Sequence, residues 1–206
     1  MRAILLSLFL MFQAGAVQAA PLRVVALGDS LTSGYGLEAG QDFPSQLAAA
    51  LAAKGVEVKM ENAGVAGDTS AGGLARVDWS VAGEPKPALV IVGLGGNDML
   101  RGIDPAHTKA NLAGILAKLN EKQIPALLLG MRTGMNMGAD YQRAFDVLYP
   151  ALAEEYRVSL YPFFLEGVVL DPAMNQRDGI HPNQLGVARM VQGVLPYALQ
   201  ILEQQP

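Results

Sequence analysis

Apolar residues along the chain fall into short runs, with helix-period stripes between most of them. Val24 to Leu27, β-branched at its start and closed by Gly28-Asp29-Ser30, reads as a buried strand that delivers Ser30 to its own end. Gly28 permits a tight backbone there, and Gly34 and Gly36 loosen the segment beyond it. Asp42-Phe43-Pro44 opens a helix, with Asp42 as cap and proline in the first turn; Leu47, Ala48 and Leu51 form its face, and Lys54-Gly55 ends it. Val56-Glu57-Val58-Lys59-Met60 alternates apolar and charged, the pattern of a half-buried strand at a sheet edge. A glycine-rich loop from Asn62 to Ser70 comes next, and then a helix from Ser70 to about Val81.

Ala88 to Leu94 is continuously apolar, which suits a strand covered on both faces of a parallel sheet. Gly95-Gly96-Asn97-Asp98 comes directly after it. Asp104-Pro105 opens a helix with Leu112, Ile115, Leu116 and Leu119 on one side. Ala126 to Leu129 is the fourth strand. Met131 to Ala139 reads as a loop, and Asp140 as the cap of a helix that is kinked at Pro150. Ser159-Leu160-Tyr161 is a short fifth strand, and a last helix runs from near Gln184 towards Leu202, bent or split at Pro196. Strands and helices alternate without repeats or linkers, so residues 21–206 predict one α/β domain on a mainly parallel sheet.

The first twenty residues belong to a different pattern. Met1-Arg2 supplies a positive start, Ala3 to Phe12 is apolar, and Ala16-Val17-Gln18-Ala19-Ala20 offers small residues at cleavage spacing after Ala19 or Ala20. Residues 1–20 are therefore expected to be a signal peptide, directing the protein to the periplasm or outside. The run has about half of the ~20 residues a bilayer demands, and no other segment reads as membrane-spanning. The formal charge of −4 becomes −5 once Arg2 is removed, and no basic cluster occurs, which argues against nucleic acid as a partner. With no cysteine there are no disulfides and no thiolate zinc site, and two histidines leave little for any other metal. No metal or cofactor is expected, and a monomer is.

In a parallel sheet ligands bind outside the carboxyl ends of the strands, so the loops there hold the candidate chemistry. Ser30 follows the first strand, Gly67 lies after the second, Asn97 after the third, and Asp178-Gly179-Ile180-His181 before the last helix. Ser30 as nucleophile, His181 as base and Asp178 as orienting carboxylate reproduce a serine–histidine–acid division of labour. Donors for a developing oxyanion are then the N–H groups of Ser30 and Gly67 and the amide of Asn97. Taken singly, each residue has a plainer reading as a turn or helix cap. Asp29 is a rival acid, expected to point to the other side of the strand exit; His107 sits in the first turn of a surface helix facing solvent. Gly93 to Asp98 has Asp98 where a dinucleotide fingerprint needs glycine, and Thr32 breaks the Gly-x-Ser-x-Gly elbow.

Four blocks in order, Gly28-Asp29-Ser30-Leu31, Gly67 within Asn62 to Thr69, Gly95-Gly96-Asn97-Asp98 and Asp178-Gly179-Ile180-His181-Pro182, resemble those of the GDSL, or SGNH, hydrolase family. The likeness is to its bacterial periplasmic acyl-CoA thioesterase, lysophospholipase and arylesterase group, with Asn97 to Gly102, Tyr149-Pro150 and Tyr161 to Phe164 as supporting details. That resemblance implies a three-layer, flavodoxin-like α/β/α sandwich of five parallel strands in the order 2-1-3-4-5. It implies Ser30, Asp178 and His181 as triad, Ser30, Gly67 and Asn97 as oxyanion hole, and a small-molecule or lipid acyl ester as substrate, with thioesters and lysophospholipids as candidates. Met131, Met135 and Met137 suggest a pliable apolar wall for an acyl chain. A carbohydrate deacetylase or acyltransferase on the same scaffold, or a non-catalytic flavodoxin-like binding protein, are the alternatives.

Overall fold

The computed structural model describes residues 20–205; the signal-peptide reading of residues 1–20 lies, but for Ala20, outside them. In chain order the elements are β1 (Leu22–Gly28), α1 (Ser30–Ser33), α2 (Phe43–Ala52), β2 (Val58–Gly64), α3 (Ser70–Ser80), β3 (Leu89–Gly93), α4 (Gly96–Leu100) and α5 (Pro105–Glu121). Then come β4 (Ala126–Leu129), a 3₁₀ turn (Met135–Met137), α6 (Ala139–Asp146), α7 (Leu148–Tyr156), β5 (Ser159–Tyr161) and α8 (Gln184–Leu202). All strand pairs are parallel, in the order β2-β1-β3-β4-β5.

Position in the sheet explains the sequence pattern. Every residue of β3 and β4 is buried, and β1 is buried from Arg23 onward, because helices cover both faces. The edge strands β2 and β5 are only partly covered. Helices α3, α5 and α7 pack in succession on one face, and α2 and α8 pack together on the other. The result is a three-layer α/β/α sandwich.

The expected edge strand is present but displaced. β2 begins at Val58 and runs on through Asn62-Ala63-Gly64, where the glycine-rich composition predicts loop. Its register against β1, from Leu22 opposite Val58 to Gly28 opposite Gly64, extends the ladder regardless of the polar residues' weak strand preference. Arg23, 7% exposed on β1, pairs with Glu61 on β2 at 2.8 Å and so fixes this alignment from the side.

The helix expected to be capped by Asp140 and kinked at Pro150 is two helices, α6 and α7, separated at Val147. Proline has no N–H, and its ring collides with the carbonyl four residues earlier, here Asp146; the break falls there and Pro150 occupies the first turn of α7. Gly138 precedes α6, and Asp140 lies within its first turn. In contrast α8 runs through Pro196 unsplit. Among the described residues α8 is also long and apolar enough to cross a bilayer, which the sequence reading missed. Its apolar stripe, from Val187 through Val194 to Leu202, is instead buried against α2 and the sheet.

Candidate active site

The carboxyl ends of β1, β2 and β3 stop level, at Gly28, Gly64 and Gly93. The chain turns from β1 directly into α1, a four-residue helix in a stretch whose sequence reads as loop. Asp29 caps it, its carboxylate accepting from the Leu31 N–H at 3.0 Å, so Ser30 is the first helical residue. Gly64 explains how close the packing is: a Cβ there would lie 2.3 Å from the backbone nitrogen of Ser33. The end of β2 thus buttresses α1 from behind.

The histidine arrives from the far end of the chain. Gly179, at φ +70°, turns the backbone so that the Asp178 carboxylate accepts from the N–H groups of Ile180 at 2.9 Å and His181 at 3.0 Å. The same carboxylate takes the His181 Nδ1 at 2.6 Å. The N–H groups of His181 and Ile180 and the imidazole, in that order, hold the Asp178 carboxyl down at about 2, so it is an ionised acceptor throughout the neutral range. With Nδ1 engaged there, His181 Nε2 faces the Ser30 hydroxyl at 3.0 Å. Three residues from two distant stretches of the chain therefore form one continuous run of hydrogen bonds. That run can remove a proton from the serine as its oxygen attacks an electrophile.

Gly67 and Asn97 line the same cavity as Ser30 and His181. Gly67 has φ +79°, a conformation that costs any residue with a Cβ. Asn97 is inside the first turn of α4 rather than capping it; Gly95, at φ +108°, precedes that helix. The Asn97 amide donates to the Asp68 carbonyl at 2.9 Å and, more weakly, to Asp29 at 3.3 Å. Two acceptors on one side fix which end of this amide carries the hydrogens.

Asp29 lies elsewhere than expected. It does not point away from the site but forms part of the cavity floor beside Asn97, 3% exposed, and its hydrogen bonds go to Leu31 and Asn97 rather than to His181. Burial drives its carboxyl up to about 6 against these bonds. His107 is exposed, as expected. Of the three methionines, Met131 is buried in the cavity wall and Met137 is not among the lining residues; the Met135 side chain lies outside the described structure.

Several contributors were given no role in the sequence reading, although Asp98 and Arg101 fall inside its matched blocks. Arg76 on α3 bonds to the carbonyls of Gly28 and Ala63 and to the Asp68 carboxylate at 2.8–2.9 Å, tying together the ends of β1 and β2 and the loop that carries Gly67. Arg101 donates to the Gly67 carbonyl at 2.6 Å. Buried Asp98 accepts from the Ser70 N–H and hydroxyl, joining α3 to α4. A charge on the core side of a helix could have marked Arg76; the others depend on distant partners.

The cavity holds about 500 Å³ and is walled mainly by apolar side chains, among them Leu31, Met99, Met131, Leu165, Val169 and Ile180. Among the described residues no cluster of His, Asp or Glu could hold a metal ion.

Comparisons with known proteins place the chain in a family. A profile of the GDSL-like lipase/acylhydrolase family matches residues 26–189. The chain is 42% identical over 196 residues to "Esterase TesA" of Pseudomonas aeruginosa, covering 95% of this chain and 97% of that one. It is 41% identical over 166 residues to "Thioesterase 1/protease 1/lysophospholipase L1" of Escherichia coli K12, covering 81% and 78%. The crystal structure of AlinE4, described as an SGNH-hydrolase family esterase, superposes with a TM-score of 0.77 at 45% identity, covering 90% of this chain and 98% of that one. Fold, sequence and family profile thus agree, and the chain belongs to the GDSL-like lipase/acylhydrolase family, as a serine ester hydrolase.

Proposed function

We propose that Ser30, His181 and Asp178 are the nucleophile, general base and orienting acid of this hydrolase, and that its substrates are esters with an apolar acyl chain. The supporting observation is the pair of contacts at His181: 3.0 Å from Nε2 to the Ser30 hydroxyl and 2.6 Å from Nδ1 to Asp178. Ser30 Oγ attacks the acyl carbonyl while its proton passes to His181 Nε2. The resulting oxyanion is received by the N–H groups of Ser30 and Gly67 and by the Asn97 amide, whose longer bond to Asp29 is the one given up. His181 returns the proton to the departing oxygen or sulfur, leaving an acyl-enzyme. Water, deprotonated by the same imidazole, then releases the acid and restores Ser30. General-base assistance of this kind contributes on the order of 10²–10⁴ in rate.

Oxygen esters, acyl thioesters and lysophospholipids differ in leaving group and share the acyl half, so one acyl-enzyme serves all three. The apolar lining suits an acyl chain better than the polar cleft a sugar deacetylase requires. Residues 1–20 read as a secretory signal, and we assign the enzyme to the periplasm or the exterior on that pattern. Export is checked by the mass of the mature protein, which should begin at Ala20 or Pro21.

A fluorophosphonate probe followed by peptide mapping tests the chemistry. One label is expected, on Ser30, absent in Ser30→Ala and strongly slowed in His181→Ala; a label on another serine overturns the assignment. An acyl panel from two to twelve carbons, run as aryl esters, acyl-CoA thioesters and lysophospholipids, then gives the substrate. Preference for acetyl on a glycan over longer aryl esters would overturn the acyl-chain reading.

A further inference from the structure

One contact to His181 is not used by the proton-transfer chain. The ring of Tyr35 lies against the imidazole, with centroids 4.7 Å apart and planes tilted by 41°. Tyr35 lines the mouth of the cavity and remains 54% exposed there. Its backbone is shaped to hold it there. It stands between Gly34 at φ +79° and Gly36 at φ +74°, and its N–H bonds to the Ser30 carbonyl at 3.3 Å.

Gln176 secures the arrangement from the histidine's side. Its side-chain amide donates to the Tyr35 carbonyl at 2.8 Å and to the Pro182 carbonyl at 3.0 Å, and its own N–H donates to the His181 carbonyl at 2.7 Å. Gly36 must be glycine for this approach, since a Cβ there would sit 2.2 Å from the Gln176 side-chain oxygen. One residue thus binds the nucleophile's loop to the base's loop.

Building on the triad reading, we propose that Tyr35, anchored by Gln176, is a positioning residue for His181. The two in-plane hydrogen bonds of the imidazole, to Asp178 and Ser30, fix its edges and leave its face free to tilt. Tyr35 closes that face. As the Ser30 proton arrives, the imidazole gains positive charge, and the electron-rich face of a neighbouring aromatic ring favours that charge. The contact therefore strengthens in the transition state, where it raises kcat rather than substrate affinity. The other charged groups near the imidazole are Asp178 on its own loop and Asp29 at the end of β1.

The test is steady-state kinetics on p-nitrophenyl acetate, butyrate and decanoate, alongside thermal melts. Tyr35→Ala is expected to lose about 5- to 30-fold in kcat, by the same factor on all three esters, with KM little changed. Tyr35→Phe keeps the ring and is expected to recover kcat to within about 2-fold. Gln176→Ala should show a similar loss, and the double variant Tyr35→Ala/Gln176→Ala no more than the larger single loss, because the two act through one contact. If Tyr35 only lines the cavity, Tyr35→Ala raises KM, more for decanoate than for acetate, and leaves kcat intact; that result overturns the proposal. Fully additive losses, or a Phe variant as slow as the Ala variant, overturn it too. Failure of the triad reading is separate, since it would appear as turnover persisting in Ser30→Ala or His181→Ala.

Discussion

At the scale of single residues, the site contrasts two carboxylates. Asp178 is exposed enough, and bonded well enough, to stay charged; Asp29 is sealed beneath the cavity and is held near 6 by burial. The sign for Asp29 comes from linkage. Its folded value is above the ~4 of an unfolded aspartate, so folding favours its protonated form. The Asp29 contribution to stability is therefore most favourable below pH ~4, declines as pH rises towards 6, and stays lower above that; the lowered Asp178 contributes with the opposite sign. Asp29→Asn removes this titration while keeping an oxygen for the Leu31 N–H. Its unfolding free energy relative to wild type should rise by on the order of 2–3 kcal/mol between pH 4 and pH 7. Urea unfolding at several pH values measures this, and a constant offset across the range would count against it. Asn97→Ala should lower kcat by roughly 10²–10³, as expected for losing one oxyanion donor. A wild-type rate on a short aryl ester would remove Asn97 from that role. Ser30, Asp178, His181, Gly67 and Asn97 are legible in the sequence because each follows a strand or precedes a helix; the floor position of Asp29 is not, because it depends on Asn97.

Element by element, the chemistry depends on short pieces whose own hydrogen bonds cannot sustain them. α1 and α4 have four and five residues, too few for stability alone, and are held by their neighbours. For α1 the support is β2, with Gly64 against Ser33 and the Asn62 amide on the Thr32 carbonyl at 3.3 Å. Gly64→Ala should push α1 and Ser30 forward, because its Cβ meets backbone rather than a yielding side chain. We expect a loss of about 1–3 kcal/mol in stability. Acylation, measured by the phosphonate labelling rate under native conditions, should suffer far more than ~10-fold, given its sensitivity to misplacement. A variant that labels at the wild-type rate would show that β2 does not set the serine. The displaced start of β2 and the break at Val147 share a lesson: the first was decided by the ladder to β1, the second by the clash of Pro150 with Asp146.

Across the whole molecule, the parallel sheet gathers four loops far apart in sequence, those of Ser30, Gly67, Asn97 and His181, onto one rim. The cavity they enclose has a mainly apolar lining that includes Met131, Leu165 and Val169, so acyl length should be read against such side chains. Met131→Trp should reduce the kcat/KM ratio of a ten-carbon to a four-carbon acyl ester by at least ~10-fold, since each displaced methylene is worth about 1–3 kcal/mol. Met137→Ser should leave that ratio where it was, because Met137 is not part of the wall. An unchanged ratio in the Met131 variant would place the acyl chain elsewhere.

By itself the sequence determined the layer architecture and the residue types available for catalysis. Continuous apolar runs such as Leu89 to Gly93 and Ala126 to Leu129 suit strands covered on both faces, and the Gly-Asp-Ser turn signal follows the first of the apolar runs. Tertiary structure alone decided the distances. That Ser30 and His181, 151 positions apart, meet at 3.0 Å results from parallel strands ending level and from loops bound to one another by Gln176 and Arg76. Local periodicity carries no information about such contacts, because the energy that fixes them belongs to pairs of residues that only the folded chain brings together.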